Sequence, residues 1–185
     1  TIFGIKGKSG SGKTTILNLI SGFLEPNKGE IRVDDKRIIN NVENWQNLIS
    51  YVPQKTFFID DTIKSNICLG LEESEINYEQ LKNAIKLSKA EEFINKLDNG
   101  IEQRVGEGGK NLSYGQSQRI ALARSLYKKP KLLMLDETTS GLDLETEKLI
   151  IDELTELKKY LTIILVSHRT ETLEYCDKIL NVEDI

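Results

Sequence analysis

Two clusters of residues in this chain have the types and spacing that phosphate chemistry requires. Gly7-Lys8-Ser9-Gly10-Ser11-Gly12-Lys13-Thr14, with Thr15 following, fits the pattern G-x-x-x-x-G-K-[ST]. Glycines in such a loop let the backbone fold close around an anion with successive N–H groups pointing inward. A helix beginning at Lys13 adds the partial positive charge of its N-terminus. Lys13 can reach the β- and γ-phosphates, and the Thr14 hydroxyl can ligate Mg²⁺. Far along the chain, the apolar run Leu132–Leu135 ends in Asp136-Glu137. Asp136 suits Mg²⁺ through its water shell, and Glu137 can orient and polarise an attacking water. Alone, the first could be an empty glycine turn and the second two acids that end a surface strand. Together they point to nucleoside triphosphate chemistry.

Positioning these residues demands alternating strands and helices. Ile2–Ile5 reads as a strand, and a helix follows from Lys13 to about Ser21, with Gly22 as its stop. Pro26–Gly29 has turn composition, Glu30–Val33 alternates as a short strand ended by Asp34-Asp35, and Ile49–Val52 is a strand closed by Pro53. From about 57 to 128 the apolar residues recur at helical spacing, as in Leu81, Ala84, Ile85 and Leu87, then Phe93, Ile94 and Leu97. A helix is expected from about Tyr114 to Lys128. Leu132–Leu135 and Ile163–Val166 are uninterrupted apolar runs, as in parallel strands covered on both faces. Between them the stripe Ile150, Leu154, Leu157, Leu161 predicts a helix over about 143–160, and Lys178–Val182 a last strand. The expected fold class is α/β, a mostly parallel sheet with a P-loop, as one domain: a core of about 1–56 and 129–185 interrupted by a helical subdomain of about 57–128.

Composition narrows the function further. A formal net charge of −4 argues against a nucleic-acid surface. Lys128, Lys129 and Lys131 read as a solvated loop, and Glu72, Glu73 and Glu75 as a solvated acidic face without function. Cys68 and Cys176 have no metal-like spacing and are expected as free thiols. No apolar run approaches the ~20 residues that span a bilayer. The chain enters an apolar strand directly after Thr1, so it is read as a segment of something longer, without some edge β-structure.

Further motifs carry a family resemblance. Leu112-Ser113-Tyr114-Gly115-Gln116-Ser117-Gln118-Arg119 resembles LSGGQ-x-QR, the signature of ATP-binding cassette proteins. Gln54 after Tyr51-Val52-Pro53 is similar to the family's Q-loop glutamine, Ser140-Gly141-Leu142-Asp143 to its D-loop, and His168 after Ile163–Ser167 to its switch histidine. The motifs follow the family's order and cover essentially the whole chain. Ser113 and Gln116 also form an S-x-x-Q capping box, which starts a helix without any ligand.

The resemblance implies a RecA-like core that binds ATP and Mg²⁺ and acts as an ATPase. Glu137 would activate water, His168 would contact the γ-phosphate or that water, and Gln54 would touch Mg²⁺ or the water. Ser113, Gly115 and Gln116 would meet the γ-phosphate held by a second, identical or different nucleotide-binding domain. Tyr114 departs from the pattern, which has glycine there; its side chain either crowds the nucleotide or points away. The stretch from Phe57 to Ile67 resembles F-x-x-T-I-x-x-N-I of exporter-type cassettes, although Phe57 and Phe58 could equally be core. Val105-Gly106-Glu107-Gly108-Gly109 resembles the loop that touches transmembrane coupling helices. Export across a membrane is therefore expected, from its cytoplasmic face and with membrane contact only through the transmembrane domain. The alternative is a non-transport cassette ATPase acting as a mechanical switch. The adenine-stacking aromatic of the family lies upstream of its cradle and is not found in this segment.

Overall fold

The computed structural model describes residues 1–138 and 144–184. Five parallel strands form the main sheet among these residues: β1 (Ile2–Lys6), β4 (Ile49–Val52), β5 (Leu132–Asp136), β6 (Thr162–Val166) and β7 (Lys178–Asn181), in the order β4-β5-β6-β1-β7. A separate two-stranded hairpin pairs β2 (Arg32–Val33) with β3 (Lys36–Arg37). Its turn is Asp34-Asp35, both in the left-handed region (φ 48° and 63°). Such a pair matches the twist of a tight hairpin. The sequence placed a longer strand at 30–33 and did not foresee its partner.

β5 lies at the heart of the molecule because both of its faces are covered. Every residue from Leu132 to Asp136 is buried. Side chains alternate across a strand, so Leu132 and Met134 join Ile5, Leu17, Ile49, Ile164 and Val166 on one face. Leu133 and Leu135 join Val52, Ile120, Leu122, Ile150 and Leu154 on the other. Helix α1 (Lys13–Ile20) supplies Leu17 to the first face. On the second lie α6 (Tyr114–Tyr127) and α7 (Leu144–Leu157), whose Ile150, Leu154 and Leu157 form the foreseen stripe.

Between β4 and β5 the chain is helical: α3 (Ile63–Ile67), α4 (Tyr78–Leu87), α5 (Glu91–Ile94) and then α6. Helix α2 (Val42–Asn47) precedes β4, and α8 (Thr170–Leu173) follows β6. The short helices α2 and α3 escaped the periodicity argument because capping, not an apolar stripe, starts them. Asn41 accepts from the Asn44 N–H, and Thr62 from the Ser65 N–H.

The segment from Phe57 to Ile67 is held by one buried amide. Asn66 accepts from the Ile59 N–H at 3.0 Å and donates to the carbonyls of Ile59 (3.1 Å) and Thr62 (3.0 Å). Arg124 of α6 donates to the carbonyls of Asn66 (2.7 Å) and Phe57 (2.9 Å) and lies over the Phe58 ring. Phe58 is core, whereas Phe57 is 70% exposed. The acidic run also proves structural: Glu73 and Glu102 hold the nearly buried Lys64 ammonium at 3.0 and 2.8 Å. Those two carboxylates raise the Lys64 pKa above its ordinary value. Cys68 and Cys176 are free thiols, as expected.

Asn66→Ala leaves several buried backbone groups unpaired and is expected to destabilise the fold by about 2–4 kcal/mol. Urea denaturation checks this; a loss below ~1 kcal/mol would show that the staple is dispensable.

Candidate functional site

Parallel pairing brings the ends of β1, β4, β5 and β6 to one edge of the sheet, where open α/β sheets bind ligands. A cleft of about 310 Å³ opens there, lined by Ser9, Gly10, Gly12, Lys13, Thr14, Thr15, Gln54, Asp136 and Glu137. The strand–loop–helix context expected for the cradle is present, with the loop at 7–12 between β1 and α1. Gly12 caps α1 at φ 96°, a conformation that glycine adopts without strain. Gly7 is close-packed in another way: a Cβ there would lie 2.5 Å from the Ser11 hydroxyl, which would have to turn aside.

The charged groups of the cleft hold one another. Lys13 Nζ donates to the carbonyls of Gly7 and Lys8, both at 2.9 Å, and lies 3.5 Å from Glu137 Oε1. Gln54 Nε2 donates to Glu137 Oε2 at 3.0 Å. Glu137 takes φ 51°, in the left-handed region, while its N–H bonds the Val166 carbonyl at 3.1 Å. A non-glycine residue there carries strain of about 1–3 kcal/mol, a cost typical of functional positions. The turn directs the carboxylate out of the sheet plane and into the cleft.

One carboxylate oxygen collects two hydroxyls. Asp136 Oδ2 accepts from Thr14 Oγ1 at 2.9 Å and from the Tyr51 phenol at 2.8 Å. Burial, and then the bond to Asp136, push the Tyr51 pKa above its ordinary value. The neutral phenol is the bonded form, so its stabilising contribution is complete below the ordinary tyrosine range. It is lost only as the pH climbs through the raised value.

The donor set fits both groups that the sequence implied. The Ser11 hydroxyl is buried without a partner, and Ser9, Gly10 and Gly12 line the space where a phosphate would sit; Gly7 and Ser11 themselves do not line it, and the Ser11 N–H bonds the Lys8 carbonyl at 3.2 Å. Thr14 and Asp136 offer the hard oxygens that Mg²⁺ prefers, with the Gln54 amide in the same cleft. Among the described residues no three His, Cys, Asp or Glu side chains converge. Mg²⁺ is in general held by one or two carboxylates and completed by water and substrate phosphate.

Not every candidate joins the cleft. His168 follows β6 two residues after Val166, is exposed, and does not line it. Ser113, Gly115 and Gln116 also lie elsewhere, at the start of α6. The capping box there is fully formed: the Gln116 N–H donates to Ser113 Oγ at 3.2 Å, and the Ser113 N–H to Gln116 Oε1 at 2.9 Å. Tyr114 is in the first helical position, 43% exposed and without positive φ. The helix start therefore needs no glycine at 114. Ser140-Gly141-Leu142-Asp143 lies outside the described residues.

Sequence reasoning missed Tyr51 and two contacts near α7. The buried Glu147 carboxylate pairs with Arg169, directly after His168, and accepts from Thr172 Oγ1 at 2.6 Å. Only the alternation of Tyr51 with Val52 hinted that one of the two would face the α1 side of the sheet.

The ABC transporter family profile matches residues 1–140. "ABC transporter B family member 13" of Arabidopsis thaliana is 43% identical over 98% of this chain and 14% of its own length. The "ATP-dependent lipid A-core flippase" of Vibrio parahaemolyticus is 41% identical over 96% of this chain and 31% of its own. Among solved structures, a bacterial Atm1-family ABC exporter with ATP bound superposes with a TM-score of 0.90 at 34% identity, over 98% of this chain and 32% of that one. The chain thus spans a third or less of the length of these relatives. It belongs to the ABC transporter family, as an ATP-binding domain of that family.

Lys13→Ala removes the cradle's only buried ammonium and is expected to weaken ATP binding roughly 10- to 100-fold. Titration with a fluorescent ATP analogue checks this; unchanged affinity would contradict the assignment of the cradle.

Proposed function

We propose that this domain hydrolyses Mg·ATP in the cleft between residues 9–15 and Asp136-Glu137, and that the intact protein uses the reaction to export or flip a substrate across a membrane. The observation that carries this reading is the meeting of cradle and carboxylates in one cleft, with Glu137 in contact with both Lys13 and Gln54. The names of the relatives, transporters and a flippase, support the transport half. They favour it over a switch ATPase.

In this reading Lys13 exchanges its two loop carbonyls for phosphate oxygens, and Glu137 loses the ammonium as a partner. Its carboxylate, still beside Gln54, then orients a water and accepts its proton. Thr14, Asp136 and Gln54 would hold Mg²⁺, whose charge supplies electrostatic stabilisation to the phosphates. Ser9, Gly10, Gly12 and Thr15, which line the cleft, would direct backbone and hydroxyl donors at the same anion, and Ser11 would add its unpartnered hydroxyl. His168 follows a strand end at this edge and would approach the γ-phosphate once the site is filled.

The site as proposed is one of two halves. The capped start of α6, with Ser113, Gly115 and Gln116, would meet the γ-phosphate of a second nucleotide-binding domain, either an identical copy or a different one; the box already occupies the Ser113 and Gln116 N–H groups, so the first-turn N–H groups of Tyr114 and Gly115 would be the backbone donors. Residues of about 1–56 and 129–185 would form the RecA-like unit, and 57–128 the helical one. Gln54–Phe58 and Glu107 would form the face toward transmembrane coupling helices, with exposed Phe57 as its apolar anchor. Among the described residues no helix is long and apolar enough to cross a membrane. The domain would sit at the cytoplasmic face of the membrane, and its contact with the membrane would come through the transmembrane part alone.

Glu137→Gln keeps the shape of the side chain and removes its basicity. It is expected to bind ATP, to hydrolyse it about 10²–10⁴-fold more slowly, and to favour an ATP-bound dimer. Phosphate release and size-exclusion chromatography with ATP read the two effects; normal turnover would assign the water to another residue.

A further inference from the structure

The Tyr51–Asp136 hydrogen bond belongs to no motif named above, yet it falls on the carboxylate assigned to the metal. We propose that Tyr51 is a positioning residue for that metal: its phenol fixes the rotation of the Asp136 carboxylate and so sets how tightly Mg²⁺ is held. This inference rests on the reading of Asp136 as a metal residue.

The sheet explains the contact. Tyr51 pairs with Met134 across the parallel β4–β5 ladder, so both side chains lie on the face that carries α1. Asp136 is two residues beyond Met134 and returns to the same face. A tyrosine is long enough to span that diagonal, and its oxygen ends 2.8 Å from Asp136 Oδ2. Phenylalanine or an aliphatic residue would fill the same wall without a donor.

The chemistry follows from counting donors. Among the described residues both hydrogen bonds to this carboxylate fall on Oδ2, one from Thr14 and one from Tyr51. The Thr14 hydroxyl is itself a prospective metal ligand, so its bond to Asp136 is given up or bent when the metal enters. Tyr51 is not a ligand, and its bond can persist. It then restrains the carboxylate torsion, and Oδ1 would be the oxygen left to support the metal through water. Groups that orient a metal's supporting carboxylate typically change affinity by about 10- to 100-fold when removed. An effect near the lower end is expected here, because Asp136 acts through water.

Tyr51→Phe deletes one oxygen and leaves the ring, which also walls a groove with Phe23, Ile49, Arg124 and Lys128. The experiment uses the intact protein that carries this sequence. ATP affinity is measured in EDTA and across a Mg²⁺ titration, and Mn²⁺ binding in the presence of a non-hydrolysable ATP analogue is followed by electron paramagnetic resonance. The variant is expected to match the parent in EDTA, to need about 10-fold more Mg²⁺ for half of the metal-dependent gain in affinity, and to bind Mn²⁺ correspondingly more weakly. An unchanged metal dependence overturns the role of Tyr51. An equal loss of affinity with and without metal also overturns it, since that is the mark of general damage to the cleft. If the parent itself shows no metal-dependent ATP binding, the reading of the cleft fails instead.

Discussion

Parallel pairing is the constraint on which everything else depends. Strands that all run the same way must all end at the same edge, so whatever follows β1, β4, β5 and β6 is gathered there. The phosphate loop, Gln54, the Asp136-Glu137 pair and the loop bearing His168 come from four separate segments spread between residues 7 and 168. No interaction between them is needed to bring them together; the apolar burial of β5 on both faces does that work. A parallel sheet is stable only when both faces are covered, which here requires α1 on one side and α6 with α7 on the other. The helices that carry functional groups are thus the same helices that keep the sheet dry.

With the edge fixed, local contacts set the fine geometry. Glu137 turns through the left-handed region because its N–H is tied to the Val166 carbonyl while β5 has already ended at Asp136. The strain is supported by a strand buried on both sides. Lys13 shows the complementary behaviour: its buried ammonium is satisfied by two loop carbonyls and lies beside Glu137. A buried charge must be paired, and the loop carbonyls with Glu137 supply that pairing here.

Most of this was legible in the sequence where a residue's role is set by its immediate neighbours. The cradle between a strand and a helix, the apolar runs of β5 and β6, the stripe of α7 and the Ser113–Gln116 box all depend on spacing within about ten residues. What the sequence did not show depends on register. Tyr51 reaches Asp136 only because Tyr51 pairs with Met134 and not with Leu133 or Leu135, and nothing in either segment states that. The pairing of Lys64 with Glu102, 38 residues along the chain, is likewise not written in either local stretch. Helices α2 and α3 were invisible for a different reason: at six and five residues they are too short to show a period, and only their caps announce them.

Helix α6 ties these levels together. Its first turn is shaped by Ser113 and Gln116, which makes the signature segment a helix start before it is anything else. One turn on, the buried Gln118 amide makes a long 3.5 Å contact with the carbonyl of Gln54, the residue that bonds Glu137. Two turns beyond, Arg124 holds the backbone at Phe57 and Asn66. A single rigid rod therefore touches the Q-loop glutamine, the exposed Phe57 segment and the donors at its own N-terminus. Tyr114 fits this arrangement without strain, since the first position of a capped helix demands neither glycine nor positive φ. Gln118 and Arg124 thus place the backbone of Gln54 and that of Phe57 against the same helix, two residues of one loop held by one element.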